Sequence, residues 1–80
     1  MTASRRVDGM APEQLSILVN GEPHSIAGPA TLADLLDRLE LDPQLVVVEL
    51  NRSIVRRPLL ADTPLAEGDA VELVHLVGGG

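Results

Sequence analysis

Apolar and polar positions alternate with two different periods along this chain, and the changes of period mark out its elements. Leu15, Ile17 and Val19 recur at every second residue, the spacing of a strand with one buried face. Asn20-Gly21 follows, a pair suited to the positive φ angles of a tight type I′ hairpin turn. The return strand, about Glu22 to Ile26, carries Pro23. Proline cannot donate to a ladder, so this strand belongs at a sheet edge. After the break at Gly28-Pro29 the period becomes helical, with Leu32, Leu35, Leu36 and Leu39 at i, i+3, i+4 and i+7. Thr31 and Asp34 form a capping-box pattern at its start, and the spacing predicts a helix from Leu32 to Glu40, stopped by Leu41-Asp42-Pro43.

The second half returns to strand periodicity. Leu45 to Leu50 is rich in β-branched residues; with Glu49 facing water, Val46, Val48 and Leu50 point inward and Val47 is exposed. Asn51-Arg52 turns the chain into a short strand, Ser53 to Arg56, which Arg57-Pro58 stops. Leu59 to Leu65 reads as a connection whose leucines plug one end of the core, and Glu67-Gly68-Asp69 as a turn. The last strand starts at Ala70, with Val71 and Leu73 toward the helix and Glu72, Val74 and Leu76 outward. Residues 1–13 show neither period and are expected to be a disordered extension, residues 14–77 the folded domain, and Gly78-Gly79-Gly80 a flexible tail. The order ββαββ, a connection and a final β suits an α+β β-grasp arrangement, a mixed sheet of about five strands with one helix across it.

Composition narrows what such a domain does. Eighty residues bury only about 60 to 65% of the unfolded surface, which leaves no room for an enclosed active site. Phe, Trp and Tyr are absent, so the core is aliphatic. The formal net charge is −6, which together with the missing aromatics argues against nucleic acid and for a basic protein surface as partner. Without cysteine there is no thiol nucleophile and no persulfide, and any sulfur chemistry lies off the side chains. His24 and His75 stand far apart without thiol partners, a poor match to a metal site. Asp34 and Asp37 read as a solvated helix face. No apolar run approaches the roughly 20 residues of a membrane span. A cytoplasmic location, with no membrane partner, is the expectation.

The three terminal glycines have no Cβ and contribute nothing to packing, so any purpose lies in thinness, freedom to bend, or the terminal carboxylate of Gly80. An apolar strand leads into them, and Val47, Val74 and Leu76 form an expected exposed patch beside Glu49 and Glu72, suited to partner docking.

Several motifs, taken in order, carry a resemblance over residues 15 to 80: Asn20-Gly21-Glu22, Thr31-Leu32-Ala33-Asp34-Leu35-Leu36, Val48-Glu49-Leu50-Asn51, Thr63-Pro64-Leu65 with Glu67-Gly68-Asp69, and Val77-Gly78-Gly79-Gly80. Together they resemble the ThiS-type sulfur carriers of thiamine biosynthesis, a ubiquitin-like β-grasp family. The extension and the third terminal glycine depart from the usual pattern.

The resemblance implies that the chain is a carrier and not an enzyme. It implies that a ThiF-type, E1-like adenylyltransferase uses ATP to adenylate the carboxylate of Gly80, with Gly78 and Gly79 entering that partner's site. A sulfur donor, such as a cysteine desulfurase system, then supplies the sulfur of a thiocarboxylate, which passes to a ThiG-type thiazole synthase. No cofactor is bound by the carrier itself. Within the same fold, the alternatives are a molybdopterin synthase small subunit, a cysteine-forming carrier and a ubiquitin-like protein modifier. A non-catalytic β-grasp binding module is a further one.

Overall fold

The computed structural model describes residues 13–76. Strand β1 (Glu13–Val19) and strand β2 (Glu22–Gly28) pair antiparallel, with Val19 opposite Glu22 and Leu15 opposite Ile26. The turn is taken by Asn20 (φ 51°) and Gly21 (φ 82°), a left-handed pair for which these residue types have the lowest steric cost. β1 begins at Glu13, one residue inside the stretch read as an extension, and β2 runs two residues past Ile26 to Gly28. Pro23 faces Leu18 on β2, an edge strand as its missing donor requires.

Helix α1 (Leu32–Arg38) is held at its start by a reciprocal capping box. The Asp34 N–H donates to Thr31 Oγ1 at 3.2 Å, and the Thr31 N–H donates to Asp34 Oδ2 at 2.8 Å. α1 ends two residues short of Glu40. Glu40 takes φ 60°, its N–H bonding to the Asp37 carbonyl at 3.0 Å and the Leu41 N–H to the Leu36 carbonyl at 2.9 Å. These two bonds make a Schellman turn, built here on a glutamate instead of the usual glycine. Leu32, Leu35 and Leu36 are buried and Leu39 half-buried, so the helical stripe lies on the sheet. Each such burial contributes roughly 1.5 to 3 kcal/mol.

A 3-10 turn, Pro43–Leu45, follows, capped by Asp42, whose Oδ1 accepts from the Gln44 N–H at 2.9 Å. Pro43 thus starts a new turn as well as ending the helix. Strand β3 (Val46–Leu50) and strand β4 (Ser53–Val55) form the second hairpin around Asn51 (φ 51°) and Arg52 (φ 75°). β4 stops one residue before Arg56. The 3-10 segment Arg57–Asp62 then carries Leu60 under the helix end of the core, and Leu65 completes that closure. Its backbone is tied to the start of α1: the Leu32 N–H donates to the Thr63 carbonyl at 3.0 Å and the Leu65 N–H to the Ala30 carbonyl at 2.8 Å. Leu59 is not part of this plug. It is 52% exposed, because the tight 3-10 winding turns it away from Leu60.

Strand β5 (Ala70–His75) enters the middle of the sheet, whose order is β2-β1-β5-β3-β4. It runs parallel to β1, with Val19 beside Val71, and antiparallel to β3, with Val48 opposite Leu73. This five-stranded mixed sheet with one main helix is the β-grasp fold. All buried side chains among the described residues are aliphatic, and none is polar or charged. No helix among them is long and apolar enough to cross a membrane.

Candidate functional site

The central strand β5 divides its apolar residues between two faces. Val71 and Leu73 are 1% and 6% exposed, packed in the core, whereas Val74 and Leu76 are 52% and 50% exposed on the other side. Pairing with β3 sets Val47 directly opposite Val74, and the Leu76 N–H donates to the Leu45 carbonyl at 2.8 Å. Val47, Val74 and Leu76 are therefore brought together, as the expected β-grasp arrangement, with the third and last strands adjacent, places them. Val47 itself is half-buried instead of exposed. Leu45, 55% exposed and bonded to Leu76 through the backbone, and Ile54, 65% exposed and opposite Glu49, enlarge the apolar surface. The alternation that marks Glu49 as outward would have marked Ile54 also, once the second hairpin's register was known.

The next rung carries charge. Glu49 stands opposite Glu72 on adjacent strands, a like-charge pair that costs the domain stability.

Strand β5 is anchored at its base by the turn asparagines of both hairpins. The Leu73 N–H donates to Asn20 Oδ1 at 2.7 Å, and the Asn20 N–H donates to the Val71 carbonyl at 2.8 Å. From the other side, the Ala70 N–H donates to Asn51 Oδ1 at 2.9 Å and the Asn51 N–H to the Ala70 carbonyl at 2.8 Å. Asn51 Nδ2 also reaches Asp69 Oδ1 at 3.1 Å, while Asp69 Oδ2 accepts from the Ala66 N–H at 2.7 Å. Each asparagine thus makes its turn and holds β5, and the second role cannot be read from the turn dipeptide. The result is a fixed strand leading to residue 76.

Gly78, Gly79 and Gly80, singled out as the reactive tail, lie outside the described residues. His75 is exposed at the strand end, opposite Val46, and His24 is exposed on edge strand β2. Asp34 serves the helix cap and Asp37 faces water. Among the described residues no group of three or more His, Cys, Asp or Glu is placed to hold a metal ion.

Comparison with known proteins meets this geometry at the same elements. The model of the ThiS family matches residues 17–80, a span that takes in the five-stranded sheet's central strand and the glycine end. The sulfur carrier protein ThiS of Thermus thermophilus is 36% identical over 64 residues, covering 80% of this chain and 98% of that protein. A thiazole synthase of Magnetococcus marinus is 41% identical over 66 residues, which is 82% of this chain but only 20% of that longer protein. Among solved structures, the crystal structure of the thiamine biosynthesis protein ThiS from Geobacter metallireducens superposes with a TM-score of 0.72 at 33% identity, covering 82% of this chain and all of that one. A β-grasp sheet matched over most of the chain in sequence and in structure makes this chain a member of the ThiS family, which includes proteins named as sulfur carriers.

Proposed function

We propose that this protein carries sulfur for thiazole formation on the carboxylate of Gly80, and that it acts as a co-substrate of partner enzymes without catalysing a reaction itself. The observation that carries this reading is the continuity of the outward apolar patch, Val47, Val74 and Leu76, with the anchored strand that leads into the glycines. One surface docks and one tail delivers.

The chemistry needs both parts. A carboxylate is a poor electrophile, since attack must overcome its resonance and expel oxide. An E1-like, ThiF-type partner makes the Gly80 carboxylate oxygen attack the α-phosphorus of ATP, releasing pyrophosphate and leaving an acyl adenylate. A sulfur nucleophile then attacks the carbonyl carbon and AMP departs: sulfide gives the thiocarboxylate directly, whereas a persulfide from a donor such as a cysteine desulfurase system gives an acyl disulfide, which a thiol reductant cleaves to the thiocarboxylate. ATP belongs to the partner's site; the carrier requires no cofactor of its own. Gly78 and Gly79 have no Cβ, so the tail can lie close to the partner's backbone and bend into an enclosed site. Transfer to a ThiG-type thiazole synthase is supported by the Magnetococcus marinus protein, in which a segment like this chain forms a fifth of a thiazole synthase.

Intact mass spectrometry of the protein purified from its own cells under thiamine limitation tests the reading. The expected species is heavier than the unmodified chain by the difference between sulfur and oxygen, and deleting Gly79 and Gly80 abolishes it. Uniformly unmodified protein overturns the proposal, and isopeptide bonds between Gly80 and target lysines would mark a protein modifier instead.

A further inference from the structure

A second surface feature lies across β3 from the tail-bearing strand. β5 pairs with β3 along the whole of Val46–Leu50, but β4 accompanies it only from Val48 to Leu50. Beyond Val55 the chain leaves the sheet through Arg56 into the 3-10 segment Arg57–Asp62. A notch of about 420 Å³ opens where the two part company. Its walls are aliphatic, with Val46, Val55 and Leu60 among them, and Arg56 and Arg57 stand at its lip. Among the described residues no carboxylate lines it.

Two further facts give the notch a chemical character. Backbone groups in a ladder alternate in direction, and the bonds from Leu76 N–H to the Leu45 carbonyl and from Asn51 N–H to the Ala70 carbonyl show that the odd-numbered residues of β3 face β5. The N–H and C=O of Val46 therefore point to the β4 side, where the ladder has already ended at Val48 and Val55. This is a short edge with no strand partner among the described residues. Charge is also unevenly spread: in a chain of net charge −6, three of the six cationic residues are Arg52, Arg56 and Arg57, on the β4 arm.

We propose that this notch docks an extended, carboxylate-bearing peptide segment of a partner protein. The segment's backbone pairs with this edge at Val46, one of its apolar side chains fills the notch, and a neighbouring acid meets Arg56 and Arg57. Strand addition supplies the backbone bonds, and the paired guanidinia supply charge-assisted ones that select an acidic segment over a neutral one. The site borders the carrier's apolar patch at Val47, which lines both, but has no β5 residue in its lining, so a bound segment leaves Val74 and Leu76 accessible. The proposal does not rest on the sulfur-carrier reading, and either can fail alone.

The test is a titration of the full ¹⁵N-labelled chain with the acetylated, amidated pentapeptide Glu-Val-Glu-Val-Glu, followed by amide NMR shifts. Saturable shifts at Val46, Val47, Val55 and Arg57 are expected. Affinity should fall about tenfold or more for the Gln-Val-Gln-Val-Gln peptide, and equally for the Arg56→Ala/Arg57→Ala variant, as the loss of charge-assisted bonds requires. Both arginines are exposed, so unchanged amide shifts elsewhere will show that the variant keeps its fold. The proposal is overturned by an absence of saturation at millimolar peptide, by equal affinity of the double variant, or by shifts confined to Val74 and Leu76. Free acetate producing the same shifts overturns it too, since the notch would then read a lone carboxylate and not a strand.

Discussion

Leu73 and Leu76 belong to one continuous run of chain, yet the first is 6% exposed and the second 50%. The same contrast holds for the two faces of the sheet as a whole. The inner face is sealed by α1 and the Leu60–Leu65 closure, and its aliphatic side chains supply the driving force for folding. The outer face holds Val74, Leu76 and Ile54 in water, where they contribute little to the isolated domain. Apolar area that does not stabilise the fold remains available to stabilise a complex, which is why this is the face proposed for partner docking.

The sharpest way to break this comparison is to make one substitution on both faces. Leu73→Ala should cost about 2 to 5 kcal/mol, as a buried truncation does, read from the denaturant midpoint at unchanged slope. Leu36→Ala, under 2% exposed on α1, should behave alike. Next in size is Asn51→Ala, which removes the side-chain partner of the solvent-accessible Ala70 N–H at the base of β5 and should cost about 0.5 to 1.5 kcal/mol. Amide exchange at Ala70 should rise with it. Removing the charge repulsion on the outer face acts in the opposite direction. Glu49→Gln should raise stability by about 0.2 to 1 kcal/mol, while association with a basic activating partner slows and loses salt dependence. The smallest effect on folding belongs to Val74→Ser with Leu76→Ser, expected within about 0.5 kcal/mol for each exposed site. Adenylation by the activating enzyme should nevertheless fall by about tenfold or more, the scale of a docking hot spot. Normal turnover in that folded variant would remove the patch from the mechanism.

Local signals were legible wherever one short stretch contains its own reason. The alternation of Leu15, Ile17 and Val19, the Asn20-Gly21 turn and the Thr31–Asp34 cap each appear in the structure as the sequence predicts. Element ends were less legible. α1 stops at Arg38 because Glu40 adopts a left-handed conformation, and a glutamate carries no signal for that. Leu59 and Leu60 look alike in sequence, and only the 3-10 winding sends one to solvent and the other to the core. The notch at Val46 was invisible, because it depends on β4 ending before β3 does.

What the amino-acid order determined by itself was the set of elements, their buried stripes, an aliphatic core and a glycine end, since each follows from steric preference and side-chain polarity over a few residues. Which strands become neighbours was decided by tertiary structure. Placing β5 between β1 and β3 joins Val47 to Val74 and sets Glu49 against Glu72. It also carries Asn20 to a backbone amide 53 residues away. Those contacts form only when helix and sheet bury their apolar faces together, because no local preference offsets the entropy of closing so long a loop.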